Sequence, residues 1–564
     1  MGAGLGDNYM YAKKSDTLFL NGERISGDEV RRQNVQACLA LANVVKTSLG
    51  PVGLDKFLVD DIGDATVTND GATILSLLDV KHPAGEILVQ LAQQQDREVG
   101  DGTTSVVIFA TELLRRANDL VSNKIHPTTI LTGYRLALKE ATNFIEQVLA
   151  SPTAALGKAA LVNIAQTTLS SKFIGGVDGE FFASMAVDAM LAVKTQNARG
   201  ETKYPTKAVN ILKAHGRSAR ESTLVHGYAI NVTVASKAMP LATRGEARIA
   251  CLDINMQRTR LNLGVQVRIT DPEQLEAIRQ REIDIVGEQI QKIIKAGANV
   301  VFTTKGIDDV CLKLLAENGV MAVRRAHRDD LKRIAKASGG QLVSTMSNMN
   351  GDEVFEAGWL GHADRVEQVR IGDNECIIVS GTRVHSSSSV ILRGSNEYQL
   401  DEMERSLYDA LSVVKRTLET DSVVPGGGAV ETALSVYLET FATTLSSREQ
   451  VAISEFANAL LVIPKTLTIN AAKDSSELVA KLRSYHAAAQ SASEADAKRR
   501  NYRNYGLDLL RGKCVDAIAA GVLEPTMSKI KSLRAAVEAC IAILRIDTMI
   551  VVNPDPPKED PHGH

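Results

Sequence analysis

The stretch VGDGTTSVVIFA, Val99–Ala110, sets two glycines around a carboxylate, follows them with three hydroxyl side chains, and then runs into apolar residues at helical spacing. A helix N-terminus presents unpaired backbone N–H groups and the positive end of the helix dipole, so a glycine-rich entrance lets a phosphate approach closely. Gly100 and Gly102 remove side-chain bulk, and Thr103, Thr104 and Ser105 offer hydroxyl donors. Asp101 is then an anion where an anion-binding loop should not want one. It makes sense if a divalent cation stands between it and the phosphates, since Mg²⁺ favours one or two carboxylates together with phosphate oxygens. A carboxylate capping a helix behind a glycine turn fits the same letters, and a short glycine pattern standing alone is a weak signal.

This pattern has company. SLGPVGLDKFL, Ser48–Leu58, brings Gly50 and Gly53 around Pro51. TNDGATILSLL, Thr68–Leu78, brings Asp70 and Gly71, and VVPGGGAVE, Val423–Glu431, brings Gly426, Gly427 and Gly428 just ahead of a helix. Several glycine-rich, helix-entering loops in one chain suggest a nucleotide pocket. No GxxxxGK[ST] occurs, which disfavours an ordinary P-loop enzyme. Glycine loops of this kind also suit a small-molecule kinase, or a scaffold that binds nucleotide without hydrolysing it.

Composition narrows the field. At 564 residues the chain has room for two to four domains. Hydrophobic residues at 44% and charged residues at 23% are ordinary globular values, and no run approaches the ~18 apolar residues of a membrane span. A net charge of -3 and only 4% aromatic residues leave little to build a nucleic-acid surface. Six scattered cysteines without a CxxC pair predict free, mostly buried thiols in a reducing compartment. No histidine pair has metal-ligand spacing, so a zinc or iron site is not expected. The start carries no apolar signal core, which predicts a cytoplasmic protein.

Along the chain the texture changes. To about Ser151 it is mostly helical, with HPTTILTGYRLALKEATNFIEQVL as one strong pattern. From about Ala208 short β-branched runs appear, and over Thr223–Arg370 strand and helix alternate: NVVFTT as a buried strand, IDDVCLKLLAEN as a helix, VMAV as the next strand. Long helices return from Asp401, where Met403, Leu407, Ala410, Leu411 and Val414 trace one apolar stripe and SREQVAISEFANALLVIPKTLTINA carries another. Trp359, the only tryptophan, is expected in a core.

The blocks LGPVGLDKFLVDDIGDATVTNDGATIL, EVGDGTTSVV, SVVPGGGAVE and AGVLEPT resemble the signature blocks of the group II chaperonins, the TCP-1/CCT family, in family order and from about Asp16 to Asn553. The resemblance implies a multidomain α+β and α/β chaperonin fold. A mostly helical equatorial ATPase domain would be built from both chain ends, 1–150 and 411–553. A small α/β intermediate domain would be entered twice, at 151–222 and 376–410. An α/β apical domain would span 223–375 and carry a helical lid protrusion at about 252–285. The proline-rich, charged tail, 554–564, reads as disordered.

The resemblance also implies roles, with ATP and Mg²⁺ as cofactors. Asp101 would hold Mg²⁺, and Gly102, Thr103, Thr104 and Ser105 would donate to phosphate oxygens. Leu49, Gly50 and Pro51 would shape the loop over the nucleotide, Asp70 would orient the attacking water, and Lys172 in LSSKFIG would sense the γ-phosphate. Gly427 would lie against the ribose, with Gly506, Leu507 and Glu524 framing adenine and sugar. Asp409 in ERSLYDAL matches the acid that swings toward the γ-phosphate when domains close. By its own neighbours it looks like the outer half of a solvated pair with Arg405.

Arg328, Lys332, Arg333 and Lys336, with the loop HGRSARES at His215–Ser222, would form a client-facing groove. The implied partners are paralogous subunits in a hetero-oligomeric double ring of eight per ring, non-native clients such as actin and tubulin, and co-chaperones such as prefoldin. Neither nucleic acid nor membrane is expected as a partner.

Overall fold

The helix that follows the glycine loop, Thr103–Ser122, buries residues 106–110, Leu113, Leu114, Ala117 and Leu120, while Arg115, Arg116 and Asp119 keep a polar side. It packs against helices Asp28–Lys46, Pro83–Glu98, Glu449–Leu460 and Thr526–Leu544. The first core is therefore filled from both ends of the chain: Phe109 and Tyr134 meet Phe456 edge-on, each with ring centroids 5.6 Å apart. The chain ends also pair as strands, Gly22–Ser26 antiparallel to Thr548–Val552. The computed structural model describes residues 22–60, 62–63, 65–153, 157–196, 199–257, 272–347, 353–371, 374–383, 387–492 and 496–552. The 554–564 tail lies outside these residues, as does the centre, 258–271, of the expected protrusion.

A second core joins helices Gly157–Leu169 and Gly179–Ala192 to helix Glu397–Thr420, through Leu161, Phe182 and Met190 on one side and Met403, Leu407 and Leu411 on the other. All five residues of the stripe expected from Met403 to Val414 are buried. The Glu397–Thr420 helix is capped by Asn396, which accepts from Tyr398 N at 3.1 Å. At 24 residues it is about 36 Å long, enough to touch both cores.

The third body is one mixed sheet. Its strands run in the order Met321–Val323, Val300–Thr303, Ala247–Leu252, Gly361–Ile371, Asn374–Thr382, Thr223–Ile230, Ser388–Gly394 and Val209–His215, with Leu342–Val343 also on Ala247–Leu252. The expected strand NVVFTT is Val300–Thr303, parallel to both neighbours. It is buried on both faces because helices Pro272–Lys295 and Asp309–Glu317 cover one and Arg328–Ser338 the other. The antiparallel strands Gly361–Ile371 and Asn374–Thr382 extend this parallel part. Trp359, expected in a core, is half-buried at its edge, with its ring 5.4 Å from that of Phe355.

The stretch Glu449–Asn470 is long and apolar enough to cross a membrane by composition, but two-thirds of it is buried. It forms two helices, Glu449–Leu460 and Val462–Asn470, with Pro464 in the first turn of the second, where a missing N–H is tolerated. All six cysteines are free, and only Cys514 is not fully buried.

Strand Thr223–Ile230 has a double allegiance. Its first half pairs with Ser388–Ile391 and its second half with Ile377–Ser380. Gly227 stands at the changeover with φ +153°, and a Cβ there would lie 2.3 Å from the Val379 carbonyl oxygen. Gly227→Ala is expected to lower the stability of the full chain by about 2–4 kcal/mol. Urea denaturation checks this, and an unchanged midpoint would show that the strands part without cost.

Candidate functional site

The glycine loops from opposite ends of the sequence converge on a single cavity of about 690 Å³, within the ~300–1,000 Å³ usual for cofactor sites. Leu49, Gly50 and Pro51 line it, as do Asp101, Gly102 and Ser105, then Gly427, and finally Gly506, Leu507 and Glu524. Gly50 and Gly427 have φ of +91° and +66°; a Cβ on Gly50 would overlap the Leu467 side chain at 2.5 Å, and one on Gly427 would crowd the Leu507 backbone at 3.0 Å. Only glycine holds these backbones in place. Leu507 N donates to the Gly427 carbonyl at 2.9 Å, which seats the strand Tyr505–Asp508 against the glycine loop.

Asp101 sits in the turn before helix Thr103–Ser122, whose N-cap, Gly102, is left-handed and supplies no side chain. Its Oδ1 accepts from Gly102 N at 2.6 Å and its Oδ2 from Thr168 Oγ1 at 3.1 Å. Among the described residues no three His, Cys, Asp or Glu side chains gather as a metal site. A cation at Asp101 would therefore take one protein carboxylate and fill its sphere from a ligand and water, which is how Mg²⁺ is commonly held. The donor set fits Mg²⁺ with a phosphorylated ligand.

Four of the expected residues lie outside the lining of this cavity in a buried charge cluster, and Thr104 packs beside them. Lys172 Nζ is 2.9 Å from Asp409 Oδ2 and 4.0 Å from Asp70 Oδ1. Thr103 spends its hydroxyl on Asp70 Oδ1 at 3.0 Å, and Asp70 Oδ2 accepts from Thr73 N and Oγ1. Thr104 is buried against Gly71. Asp409 is not the solvated partner of Arg405, whose Nε stands 3.5 Å from Glu402; helix packing turns Asp409 inward instead.

One lysine thus serves several carboxylates, and their titration follows. Burial disfavours the Lys172 charge, but Asp409 and then Asp70 outweigh it and hold the ammonium protonated beyond the usual lysine range. Burial likewise works against the Asp70 charge, and Lys172 with the Thr73 and Thr103 bonds overcomes it, so its pKa is lowered. Asp409 is pushed well above the ordinary carboxylate range by burial, which Lys172 offsets only in part. Burial also raises Glu402. A carboxyl of raised pKa beside an ionised one is the arrangement expected where a proton must be taken up.

In the cavity lining itself, Lys529 Nζ bridges Glu431 Oε1 at 2.8 Å and Glu524 Oε2 at 2.6 Å. Glu431, Lys529, Ser528, Thr168 and Asn163 all line the cavity, and none was singled out from sequence. Their helical, polar surroundings read as solvent-facing, and only the GGGAVE and LEPTMSK segments, each continuing a recognised block, could have pointed to Glu431 and Lys529. Arg328, Lys332, Arg333 and Lys336 share helix Arg328–Ser338, away from the cavity. Arg328 pairs with Asp253, Lys332 with Asp329, and Arg333 reaches Tyr228 OH at 3.2 Å, while Lys336 is exposed. The His215–Ser222 loop pairs Arg220 with Asp178 and stands at the other end of the Thr223–Ile230 strand, about 16–20 Å from Tyr228 at ~3.3 Å per residue.

His486 props up the cavity wall, its Nε2 3.0 Å from the Tyr505 carbonyl. Burial, opposed by this bond, lowers its pKa to about 4. The unfolded chain, titrating near ~6.5, takes up the proton first as pH falls. Stability should therefore drop by about 3 kcal/mol between roughly pH 6.5 and 4, with no further loss from this group below. Urea midpoints at pH 7 and 4.5 check it: in His486→Phe that part of the pH dependence should vanish.

Comparison with known proteins shows what the sequence resembles along its length. A family model described as the TCP-1/cpn60 chaperonin family matches residues 41–554. The chain is 59% identical over 531 residues to T-complex protein 1 subunit alpha of Arabidopsis thaliana, covering 94% of this chain and 96% of that protein. It is 57% identical over 533 residues to the protein of the same name from Schistosoma mansoni, covering 94% and 97%. With thermosome subunit beta of Aeropyrum pernix the identity is 40% over 529 residues, covering 94% and 92%.

Proposed function

The chain belongs to the TCP-1/cpn60 chaperonin family, and on that premise we propose that it binds and hydrolyses Mg²⁺-ATP in the cavity bounded by Gly50, Asp101 and Gly427. As a chaperonin it is a protein-folding subunit, and the kinase and scaffold readings of the glycine loops find no support among its relatives. The observation that carries the ATPase reading is the meeting of glycine loops from both ends of the chain around Asp101, next to a buried Asp70–Lys172–Asp409 cluster.

Bound Mg²⁺-ATP supplies the phosphoanhydride whose cleavage powers a change of shape. Asp101 holds the cation, with Thr168 fixing the orientation of its carboxylate. Gly50, Gly102 and Gly427 let backbone come close to the ligand. Asp70, kept ionised and clamped by Thr73 and Thr103, orients the attacking water. Asp409, with its raised pKa, accepts the proton. Lys172 neutralises the pair and answers to phosphate charge. Because Asp409 rides on the Glu397–Thr420 helix, which packs against Gly100 through Ser412, hydrolysis depends on that helix being docked. This is gating by closure.

The core fed by both chain ends is then the equatorial domain (1–150 and 411–553), the core around Leu161, Met403 and Leu407 the intermediate domain (151–222 and 376–410), and the part of the sheet from Thr223 to Ile371 the apical domain (223–375). The relatives named T-complex protein 1 subunit alpha support an alpha-type place in a cytosolic, hetero-oligomeric double ring, eight subunits per ring, folding clients such as actin and tubulin. Arg328, Lys332, Arg333 and Lys336 would face the client. Ring contacts need head-to-tail surfaces. The hairpin Lys56–Val59/Ala65–Thr68 offers one, with Leu54, Phe57, Val59 and Ile62 more than half exposed.

Asp409→Ala should slow conversion of nucleotide held on this chain by at least ~100-fold while leaving its binding intact. This can be read as the fraction of photocross-linked 8-azido-ATP turned to diphosphate, and conversion at the wild-type rate would sink the ATPase assignment. Phe57→Asp should shift the chain from a large assembly toward free subunit in gel filtration. An unchanged elution position would remove the hairpin from the ring contact.

A further inference from the structure

One wall of the cavity carries acceptors that the protein leaves open. Lys529 engages one oxygen of Glu431 and one of Glu524, so a single ammonium brackets two carboxylates and brings them within about twice a hydrogen-bond length of each other. The second oxygens remain. Glu431 is more than nine-tenths buried, lines the cavity, and its Oε2 has no donor. Glu524 Oε1 faces Gly426, where a Cβ would come within 3.0 Å of it, and the Glu524 side chain is partly open to the cavity. An unmet buried acceptor is costly in a folded protein unless a ligand meets it.

The chemistry of these atoms selects their partner. Burial raises Glu524, which Lys529 opposes and Glu431 reinforces, while Glu431 and Glu524 overcome burial to keep Lys529 charged. The wall keeps a surplus of acceptors over donors. Phosphate oxygens, which bring only acceptors and negative charge, are unsuited to it. A vicinal diol brings two adjacent O–H donors.

We propose that Glu431, held by Lys529 beside Glu524, is a specificity-determining residue that makes the cavity prefer ribonucleotides by accepting a hydrogen bond from the sugar diol. The inference rests on the nucleotide reading above. What it adds to the expected contact of Glu524 with the sugar is a second acceptor and the lysine that aims both. The nearest competitor is an exocyclic amine of the base, which also brings N–H donors.

The test uses the full chain in its assembly, photolabelled with 8-azido-[α-³²P]ATP and resolved from its partners, with ATP, 2′-deoxy-ATP, 3′-deoxy-ATP and inosine triphosphate as competitors. In the wild-type chain either deoxy analogue should protect about tenfold less well than ATP, the value of one hydrogen bond to a charged group. In Glu431→Gln and Glu431→Ala that ratio should fall to about threefold or less. The ratio is internal to each variant, and the isosteric glutamine serves if the alanine chain fails to fold. An unchanged deoxy ratio in a variant that still binds ATP overturns the role of Glu431. A change confined to inosine triphosphate also overturns it, assigning Glu431 to the base. If ATP itself gives no protection in the wild-type chain, the nucleotide reading falls and takes this inference with it.

Discussion

A single buried ammonium holds the site together. Lys172 stands between Asp70, carried by the turn after the first hairpin, and Asp409, carried by a helix that joins the second core to the first. In a low-dielectric interior such a charge cannot be left without partners, and removing one carboxylate from a buried pair typically costs about 3–5 kcal/mol. The lysine therefore ties together segments that share no backbone hydrogen bonds at this point. Burial, which the lysine offsets only in part, is why one of its partners, Asp409, resists ionisation, and the nearby charge of Asp70 adds to the effect. Asp101 lies within electrostatic reach of both Asp409 and Glu524, so this carboxylate links the two lysine-centred clusters.

Much of this was legible from the sequence where a residue type is forced by backbone geometry. Gly50, Gly102 and Gly427 all have positive φ, and the loops that contain them could be recognised without knowing what they face. The stripe from Met403 to Val414 and the strand at Val300–Thr303 were equally plain, because periodicity records burial directly. Asp409 was reached only through the family resemblance. Arg405, one turn away, gives it the look of a solvated helix face, and its burial depends on a lysine from a distant part of the chain. Glu431 and Lys529 were opaque for the same reason, since pairing across a fold leaves no trace in local spacing. The mixed sheet was half legible: alternation of strand and helix revealed the parallel part, whereas the antiparallel strands beside it showed only as β-rich runs whose pairing local spacing does not give.

The two charge clusters differ in how far the protein satisfies them. In the Lys172 cluster, which lies outside the cavity lining, Asp70 and Asp409 are met by threonine hydroxyls, a backbone N–H and the ammonium. In the lining itself, Glu431 Oε2 is buried and has no donor. On the proposed reading, proton transfer and ligand discrimination therefore fall to different residues.

The shared strand Thr223–Ile230 has a mechanical meaning. It is a common member of the outer sheet and of the strands that lean on the Asp409 helix, and a glycine marks the point where it changes partners. A twist imposed on the outer sheet can reach the carboxylate through that ribbon. A displacement of the outer sheet and a shift of the Asp409 helix would then load opposite ends of the same torsion bar.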